Sequence, residues 1–482
     1  MLKRFLNDAA VYGVAAILSR GVAFLLLPLY THALTPADYG TADLFAVLVS
    51  LASVTVALEI SQGVARFQAD APNREERVPY ASSALWFTVG AYTTFATLGA
   101  LLAGRVSGWL LGTTAARDLV YLALASAVAY GLFYLLQNQL RWDLRPVPYA
   151  VASVALTVVT LAVSAVLVVR YRLGVRGVLW AQLVGNVTGV LIAAWSARRS
   201  YSFTFDWGKC REMLRFSLPL VPSSVAVFVA LYVDRIALTQ LATLTDVGVF
   251  GVGYRLASAV GLLMVGFQSA LTPLVYAHHA HPDTPRQIAR IFSFFVALAL
   301  GGCAAVAAFA PELLRLVSTP SYFAAATVVP LLAPAMLLAQ MYVFAPGLTL
   351  AKRTRSVAML TIGAAVLNSV LNFALIPVLG IRGAALATLI SAAAGFVGYV
   401  IGSQRVYPVP HRWSRLLGAA ALAAGVIALA PHVGVATGAA VAVKLVLLGA
   451  LGLAFVRLEL VPAVELRRGI GLIQARRRGR RT

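Results

Sequence analysis

The chain has 482 residues, of which 60% are hydrophobic and 12% are charged, and its formal net charge is +22. A soluble globular protein typically carries about 25% charged residues, so this composition excludes an ordinary soluble domain. Apolar runs of about 20 residues recur along the whole chain, which is the length that a helix needs to cross a bilayer. The sequence therefore predicts an all-α, polytopic membrane protein.

The excess of positive charge has a topological explanation. Lysine and arginine concentrate in short loops and in the C-terminal tail, a bias typical of the cytoplasmic side of membrane proteins. This distribution explains the net charge better than nucleic-acid binding, so no nucleic-acid partner is expected. The same bias predicts that both termini are cytoplasmic.

About fourteen segments are predicted to cross the membrane, with boundaries accurate to a few residues. No cleavable signal peptide is expected, because MLKR is followed by an apolar segment longer than a signal sequence requires. The predicted spans are residues 9–30, 41–63, 80–103, 118–139, 147–169, 176–196, 216–240, 247–275, 287–309, 323–345, 356–378, 382–402, 414–431 and 434–456.

An internal repeat divides the chain. The segment LGVRGVLWAQL at 173–183 recurs as LGIRGAALATL at 379–389, and THALTPADYG in the first half recurs as LATLTDVG in the second. Two six-helix lobes with an even number of spans each would insert in the same direction, as in many transporters with parallel repeats and a cleft between the halves.

The predicted organisation follows from the repeat and from the polar segments. Residues 201–215 mix aromatic and basic side chains and are expected to form an interfacial cytoplasmic linker. The predicted parts are an N-lobe at 1–200, this linker, a C-lobe at 216–403, helices 13 and 14 at 404–458, and a basic cytoplasmic tail at 459–482.

Charged residues inside predicted spans are the candidate functional residues, because an ionised side chain facing lipid is costly. Arg20, Arg235 and Arg255 are the candidates for binding an anionic substrate, since guanidinium binds phosphate through two parallel hydrogen bonds. Glu59 and Asp234 are the candidates for ion coupling or for structural ion pairs. All five lie on the first two helices of a lobe, so helices 1, 2, 7 and 8 are predicted to line the cleft.

Alternatives remain open for each of these residues. Asp234 and Arg235 are adjacent, so they should point apart on a helix and be unable to pair, which makes Arg255 a plausible partner for Asp234. Asp234, Arg235 and Arg255 could instead form a purely structural network. Glu59 could be a salt-bridge, proton-binding or interfacial residue. Lys444 on helix 14 is expected to snorkel or to pack against helix 13.

Enzymatic chemistry is not expected. The sequence has no GxxxxGK[ST], HExxH or GxSxG motif, and its predicted outer loops are too short for a catalytic domain. No catalytic residue, cofactor or metal site is predicted; three histidines at 278, 279 and 281 form only a weak metal signal.

Four segments resemble the polysaccharide biosynthesis flippases of the Wzx type, in the multidrug/oligosaccharidyl-lipid/polysaccharide exporter superfamily. They are LLPLYTHALTPADYGTADLF at 26–45, VARF at 64–67, LPLVPSS…DR…VGVFGVGYRLA at 218–257, and NFALIPVLGIRGAALAT at 372–388. The resemblance implies a two-lobed bundle with helices 1, 2, 7 and 8 around a cavity. It also implies flipping of an undecaprenyl-pyrophosphate-linked oligosaccharide to the outer leaflet of the plasma membrane.

The leading hypothesis is therefore a lipid-linked oligosaccharide flippase for cell-surface polysaccharide synthesis, such as O-antigen of lipopolysaccharide. Its expected partners are membrane lipids, the lipid-linked substrate, a coupling proton or sodium ion, and the glycan polymerase and glycosyltransferases of the same pathway. One alternative is a cation-coupled multidrug exporter of the same fold, which should have more acidic cavity residues. The other is a membrane glycosyltransferase or glycan polymerase.

Overall fold

The structure is a computed structural model. It describes residues 24–461 except 72, 265–266, 269–270, 272–274, 276–277, 280 and 434–437, together with residues 13, 18, 19, 21 and 22. Within this part, all regular secondary structure is helical. Arg20 and most of the predicted basic tail lie outside the described residues.

The α-helices follow one another with short connections. They are α1 Phe24–Ala33, α2 Pro36–Thr55, α3 Ile60–Asp70, α4 Arg74–Leu101, α5 Ala103–Leu111, α6 Arg117–Trp142, α7 Pro146–Ser164, α8 Gly174–Ala197, α9 Trp207–Ser217, α10 Val221–Leu241, α11 Leu244–Ser258, α12 Thr284–Val317, α13 Val329–Leu338, α14 Gly347–Leu350, α15 Thr354–Leu379, α16 Ile381–Gln404, α17 Trp413–Leu429 and α18 Gly438–Arg457.

Many of these helices are long and apolar enough to cross a bilayer. In the described part, 11 meet both criteria, or 12 if the bent pair Pro320–Thr327 and Val329–Leu338 counts as one span. The helices Phe24–Ala33 and Trp413–Leu429 are apolar but shorter. The prediction of an all-α, multi-pass membrane protein is confirmed, whereas the count of fourteen spans stays a prediction.

The chain divides into two compact units. Unit 1 contains Met1–Gly251 and Val317–Tyr322, and unit 2 contains Val252–Leu316 and Phe323–Thr482. The division falls within α11, whereas the sequence places the linker between lobes at residues 201–215. The predicted lobes at 1–200 and 216–403 stay a prediction.

The sequence repeat has a local structural counterpart. Thr35 and Asp38 cap α2 by exchanging backbone and side-chain hydrogen bonds, and Thr243 and Asp246 do the same for α11. Such a capping box satisfies amide groups that the first helical turn leaves without partners.

The glycines of the second repeated motif also occupy matching turns. Gly174, which starts α8, has φ of +57°, and Gly380, which precedes α16, has φ of +55°. Glycine populates this left-handed region without the steric cost that a Cβ brings. The repeated motif LG(V/I)RG therefore encodes the same reversal between consecutive helices.

The predicted span 41–63 is interrupted. A turn separates α2 from α3, and in it Leu58 and Glu59 both have left-handed backbones, with φ of 50° and 54°. Side chains other than glycine rarely adopt this conformation, which costs roughly 1–3 kcal/mol per residue. Packing compensates for this cost, because Ile60 and Val64 of α3 form a buried cluster with Cys210 and Met213 of α9.

The segment predicted as an interfacial linker contains α9, which is amphipathic. Cys210 and Met213 are buried, whereas Phe203 is 95% exposed and Trp207 is also exposed. Lys209 lies 4.7 Å from the ring centre of Tyr80, whose hydroxyl donates a 2.9 Å hydrogen bond to Glu212. One face of α9 is thus packed on unit 1, and an aromatic segment beside it is free to contact a membrane surface.

Lys444 forms a buried ion pair within unit 2. Its Nζ atom lies 2.6 Å from Glu312 Oε1, and its side chain is only 1% exposed, against 18% for Glu312. The prediction that Lys444 snorkels to the interface is wrong, because the carboxylate on α12 stabilises the ammonium inside the protein. This pair attaches α18 to α12.

We expect Lys444→Ala to destabilise the protein strongly, because it leaves the Glu312 carboxylate without its cation in a poorly solvated place. Removing one partner of a buried pair costs about 3–5 kcal/mol. The measurement is the free energy of unfolding in detergent micelles. The double variant Lys444→Met with Glu312→Gln should recover most of the loss, and equal stability of Lys444→Ala and wild type would contradict this account.

Candidate functional site

Two glycines bring α2 and α11 into close contact within unit 1. A Cβ placed on Gly40 would overlap the carbonyl oxygen of Leu244, and one placed on Gly248 would overlap the carbonyl oxygen of Pro36. Gly40 and Gly248 occupy equivalent places in the repeat, and so do Pro36 and Leu244. The two helices therefore cross through reciprocal contacts. We call this crossing, together with the ion pairs beside it, the seam.

A buried cluster of charges lies one turn along α2 from Gly40. The Nε atom of Arg235 on α10 lies 3.3 Å from Asp43 Oδ2, and its Nη1 atom lies 2.9 Å from Asp234 Oδ1 and 3.1 Å from Oδ2. The Arg235 and Asp234 side chains are each 4% exposed, and that of Asp43 is 13% exposed. One guanidinium thus joins two carboxylates and attaches α10 to α2.

The prediction that Asp234 and Arg235 cannot pair is wrong. Adjacent Cβ atoms on a helix do diverge, but the arginine side chain is long enough to fold back towards its neighbour. The Asp234 carboxylate also accepts a 2.8 Å hydrogen bond from the Arg235 amide, which holds it near the guanidinium. The predicted pairing of Asp234 with Arg255 stays a prediction.

Aromatic rings and glycine backbone enclose the guanidinium. The guanidinium carbon lies 5.3 Å from the ring centre of Phe250 and 5.8 Å from that of Tyr232, at distances where cation–π attraction contributes. Gly251 makes room for the carboxylate, since a Cβ there would lie 3.1 Å from Asp43 Oδ2. Each group therefore loses water but gains a charged or aromatic neighbour, which is the condition for a stable buried ion pair.

The segment Val317–Tyr322 attaches to the same part of unit 1. The Thr31 hydroxyl donates a 2.5 Å hydrogen bond to the Val317 carbonyl, and the Tyr322 hydroxyl donates a 3.0 Å bond to the Leu34 carbonyl. The rings of Tyr39 and Tyr322 meet edge to face at 6.0 Å. The end of α1 and the start of α2 are thus held by this segment as well as by the seam.

The other predicted site residues are placed differently. Arg20 lies outside the described residues. Arg255 lies on the part of α11 that belongs to unit 2, is partly buried, and accepts a 2.6 Å hydrogen bond from Ser258 at its carbonyl. Glu59 occupies the left-handed turn between α2 and α3 and is partly exposed. Substrate binding by the three arginines and coupling through Glu59 or Asp234 stay predictions.

The sequence reasoning missed Asp43 as a site residue. It lies within the predicted span 41–63, close to the start, where an acidic residue is easily taken for part of the loop. Its distance of three residues from Gly40, in a motif that the repeat marks, is the signal that could have found it. With Asp43 included, the acids on helices 1, 2, 7 and 8 equal the arginines in number. The predicted excess of positive charge among these residues is therefore wrong.

We expect Gly40→Ala to destabilise the protein, because the new methyl group would overlap the backbone of α11. Overpacking costs about 1–3 kcal/mol, although alanine is the better helix former by about 1 kcal/mol. Gly90→Ala on α4 is the matched control, since a Cβ there meets no atom within 4 Å. The free energy of unfolding in micelles should fall for the first variant and stay level or rise for the second; the same change in both would refute the close contact.

Arg235→Leu should destabilise the protein by about 3–5 kcal/mol, because two buried carboxylates lose their shared cation. Arg66→Leu is the control: Arg66 pairs with Asp70 on the surface, where both side chains are more than half exposed, and such pairs contribute about 0–1 kcal/mol. Chemical denaturation of both variants measures the difference. Adding Asp43→Asn and Asp234→Asn to Arg235→Leu should restore part of the stability, and a further loss would contradict the assignment.

Comparison with known proteins places this fold. The structure resembles the lipid II flippase MurJ in an inward closed conformation, with a TM-score of 0.74, 12% identity, and coverage of 92% of this chain and 98% of that one. It also resembles a multidrug resistance MATE family transporter of the MOP superfamily in an inward-facing conformation. For that transporter the TM-score is 0.65, the identity is 16%, and the coverage is 83% of this chain and 96% of that one.

Sequence comparison identifies the family. Protein 1 of the Lsg locus of Haemophilus influenzae is 24% identical over 280 residues, which are 56% of this chain and 65% of that protein. The chain thus spans a little under two thirds of the length of that curated relative. The sequence profile of the family described as "Polysaccharide biosynthesis protein" matches residues 5–279, more than half of the chain. The chain belongs to the polysaccharide biosynthesis protein family.

Proposed function

We propose that this protein flips an undecaprenyl-pyrophosphate-linked oligosaccharide from the cytoplasmic to the outer leaflet of the plasma membrane. The observation that carries the proposal is the family match over residues 5–279. The fold shared with a lipid II flippase supports it, because a related membrane fold can serve a related amphiphilic cargo. Both termini are placed in the cytoplasm, on the basis of the basic loops and tail.

The seam supplies a physical basis for alternating access. It is made of reversible contacts: two glycine-to-carbonyl contacts and one guanidinium between two carboxylates, with no covalent link. Separating α2 from α10 and α11 would break these contacts together and expose Arg235. Protonation of Asp43 or Asp234 would remove one of the charges that hold Arg235, which is how a proton gradient could be coupled to opening.

In this proposal the arginines have different roles. Arg20 and Arg255 bind the pyrophosphate, since guanidinium matches phosphate oxygens through two parallel hydrogen bonds. Arg235 is engaged with Asp43 and Asp234 while the seam is closed, so it would contact substrate only after opening. Glu59 adjoins a strained turn and is the second candidate for coupling.

A multidrug exporter is the second candidate function, because the fold is also that of MATE transporters. The equal number of arginines and acids on helices 1, 2, 7 and 8 no longer argues against a cationic cargo. The family match favours the glycolipid. A glycosyltransferase or polymerase of the same pathway is the third candidate, and it would have to form a new glycosidic bond. The proposal makes such enzymes the suppliers and consumers of the cargo.

The decisive experiment reconstitutes the purified protein in vesicles that hold undecaprenyl-pyrophosphate-linked oligosaccharide in one leaflet. The measurement is the rate at which the sugar becomes accessible to a lectin added outside. Arg20→Ala and Arg255→Ala should each lower this rate at least tenfold, because one charge-assisted hydrogen bond contributes about 1.5–3 kcal/mol. Arg286→Ala is the control, since Arg286 is exposed and pairs only loosely with Asp283 at 3.8 Å.

Each competing function predicts a different result. Wild-type rates in both arginine variants would refute the cationic binding site. Efflux of cationic drugs without glycolipid movement would favour the exporter. Formation of a longer glycan by the purified protein would show an enzyme and overturn the proposal.

A further inference from the structure

Unit 2 carries an apolar groove whose use the proposed function does not explain. It has a volume of about 560 Å³ and lies between α16 and α17. Its walls are Phe396, Val397, Val400 and Ile401 of α16 and Leu417 of α17. Val397 and Ile401 are about half exposed, and Leu417 is 67% exposed. The groove is thus an open apolar channel on the surface of two membrane helices.

One end of the groove is polar. It is formed by Gln404, Arg405 and Trp413. The Gln404 side chain donates a 2.9 Å hydrogen bond to the Val409 carbonyl and accepts a 2.9 Å bond from the Val409 amide. This double bond to the backbone holds the connection between α16 and α17 in place. Arg405 is exposed, and no ion pair or side-chain hydrogen bond of it is found within the described part of the chain.

The surroundings of this end are basic. Arg412 and Arg415 share one carboxylate, that of Glu459, which lies 3.0 Å from Arg412. Hydrogen bonding and the charge of Arg415, followed by those of Arg412, lower the pKa of Glu459, so the carboxylate is ionised. Three guanidinium groups therefore face one carboxylate, and the excess charge is positive.

The neighbouring histidine adds no charge. His411 packs against Phe292, with ring centres 4.7 Å apart, and against Trp413 at 5.1 Å. Burial lowers its pKa to about 4, so the ring is neutral near pH 7. The positive charge at the end of the groove thus comes from arginines, which stay charged at every accessible pH.

We propose that this groove binds an anionic phospholipid of the surrounding bilayer, with one acyl chain along α16 and the phosphate on Arg405. The occupant must combine a long apolar part with an anionic end, and membrane phospholipids present that combination at high concentration. From Phe396 to Gln404 the helix rises about 12 Å, which matches part of one acyl chain. Trp413 lies where indole rings prefer to be, at the boundary between apolar chains and head groups.

The proposal is independent of the transported cargo. A polyprenyl pyrophosphate shares the same general chemistry, an apolar chain with an anionic end. The groove is short and open on one side, which suits a lipid that exchanges with the bilayer. The experiment therefore compares both lipids directly.

Native mass spectrometry of the purified full-length protein tests the proposal. Phosphatidylglycerol and phosphatidylcholine with identical acyl chains are titrated separately, and the bound fractions are compared. Wild type should bind phosphatidylglycerol more tightly. Arg405→Gln should weaken that binding about fivefold, because a basic residue near an anionic head group contributes about 1 kcal/mol. Its binding of phosphatidylcholine should not change.

Two further variants distinguish the groove from general surface attraction. Val397→Trp should fill the apolar channel and weaken the binding of both phospholipids, and its exposed position makes the substitution easy to accommodate. Arg286→Gln removes an exposed arginine elsewhere in unit 2 and should leave both affinities as in wild type.

Three outcomes would overturn the proposal. One is equal binding of phosphatidylglycerol by wild type and Arg405→Gln. The second is a loss in Arg286→Gln as large as that in Arg405→Gln, which would mean unspecific attraction to anions. The third is displacement of phosphatidylglycerol by an equimolar amount of undecaprenyl phosphate, which would make the groove a site for the polyprenyl chain.

Discussion

The packing of unit 1 around α2 depends on one guanidinium. Arg235 is almost fully buried, and it is stable there only because Asp43 and Asp234 lie on either side of it. These carboxylates come from two helices, so the electrostatic requirement of one side chain determines how α2 and α10 pack. Gly251 on α11 must lack a side chain for the same reason, since Asp43 occupies the space beside it. Loss of any one of these groups would leave the others desolvated and unpaired.

Much of the fold could be predicted from the sequence. The thickness of a bilayer sets the length of apolar runs, so the all-α, multi-pass architecture follows from composition and spacing. The repeat was also visible, because local features encode it: the capping boxes at Thr35 and Thr243 and the left-handed turns at Gly174 and Gly380. Local features of this kind depend on few residues and can be recognised in a single sequence.

The buried ion pairs could not be predicted in the same way. Asp43 lies near the start of a predicted span and Glu312 just beyond the end of another, where boundaries are least certain, so neither was recognised as a partner for Arg235 or Lys444. The pairing of Asp234 with Arg235 was excluded by an argument about Cβ directions, which ignores the reach of a long side chain. The interruption at Leu58 and Glu59 contains no glycine or proline, so packing of α3 on α9 sets it.

That interruption makes the second span two rigid rods with a joint between them. The lower barrier to bending lies at Leu58 and Glu59, where the backbone already departs from helical geometry and no hydrogen-bond ladder has to be broken. Movement of α2 can therefore be absorbed within a single turn, while α3 keeps its place against α9. A straight helix would transmit the same movement along its whole length, so the joint confines rearrangement to one end of the bundle.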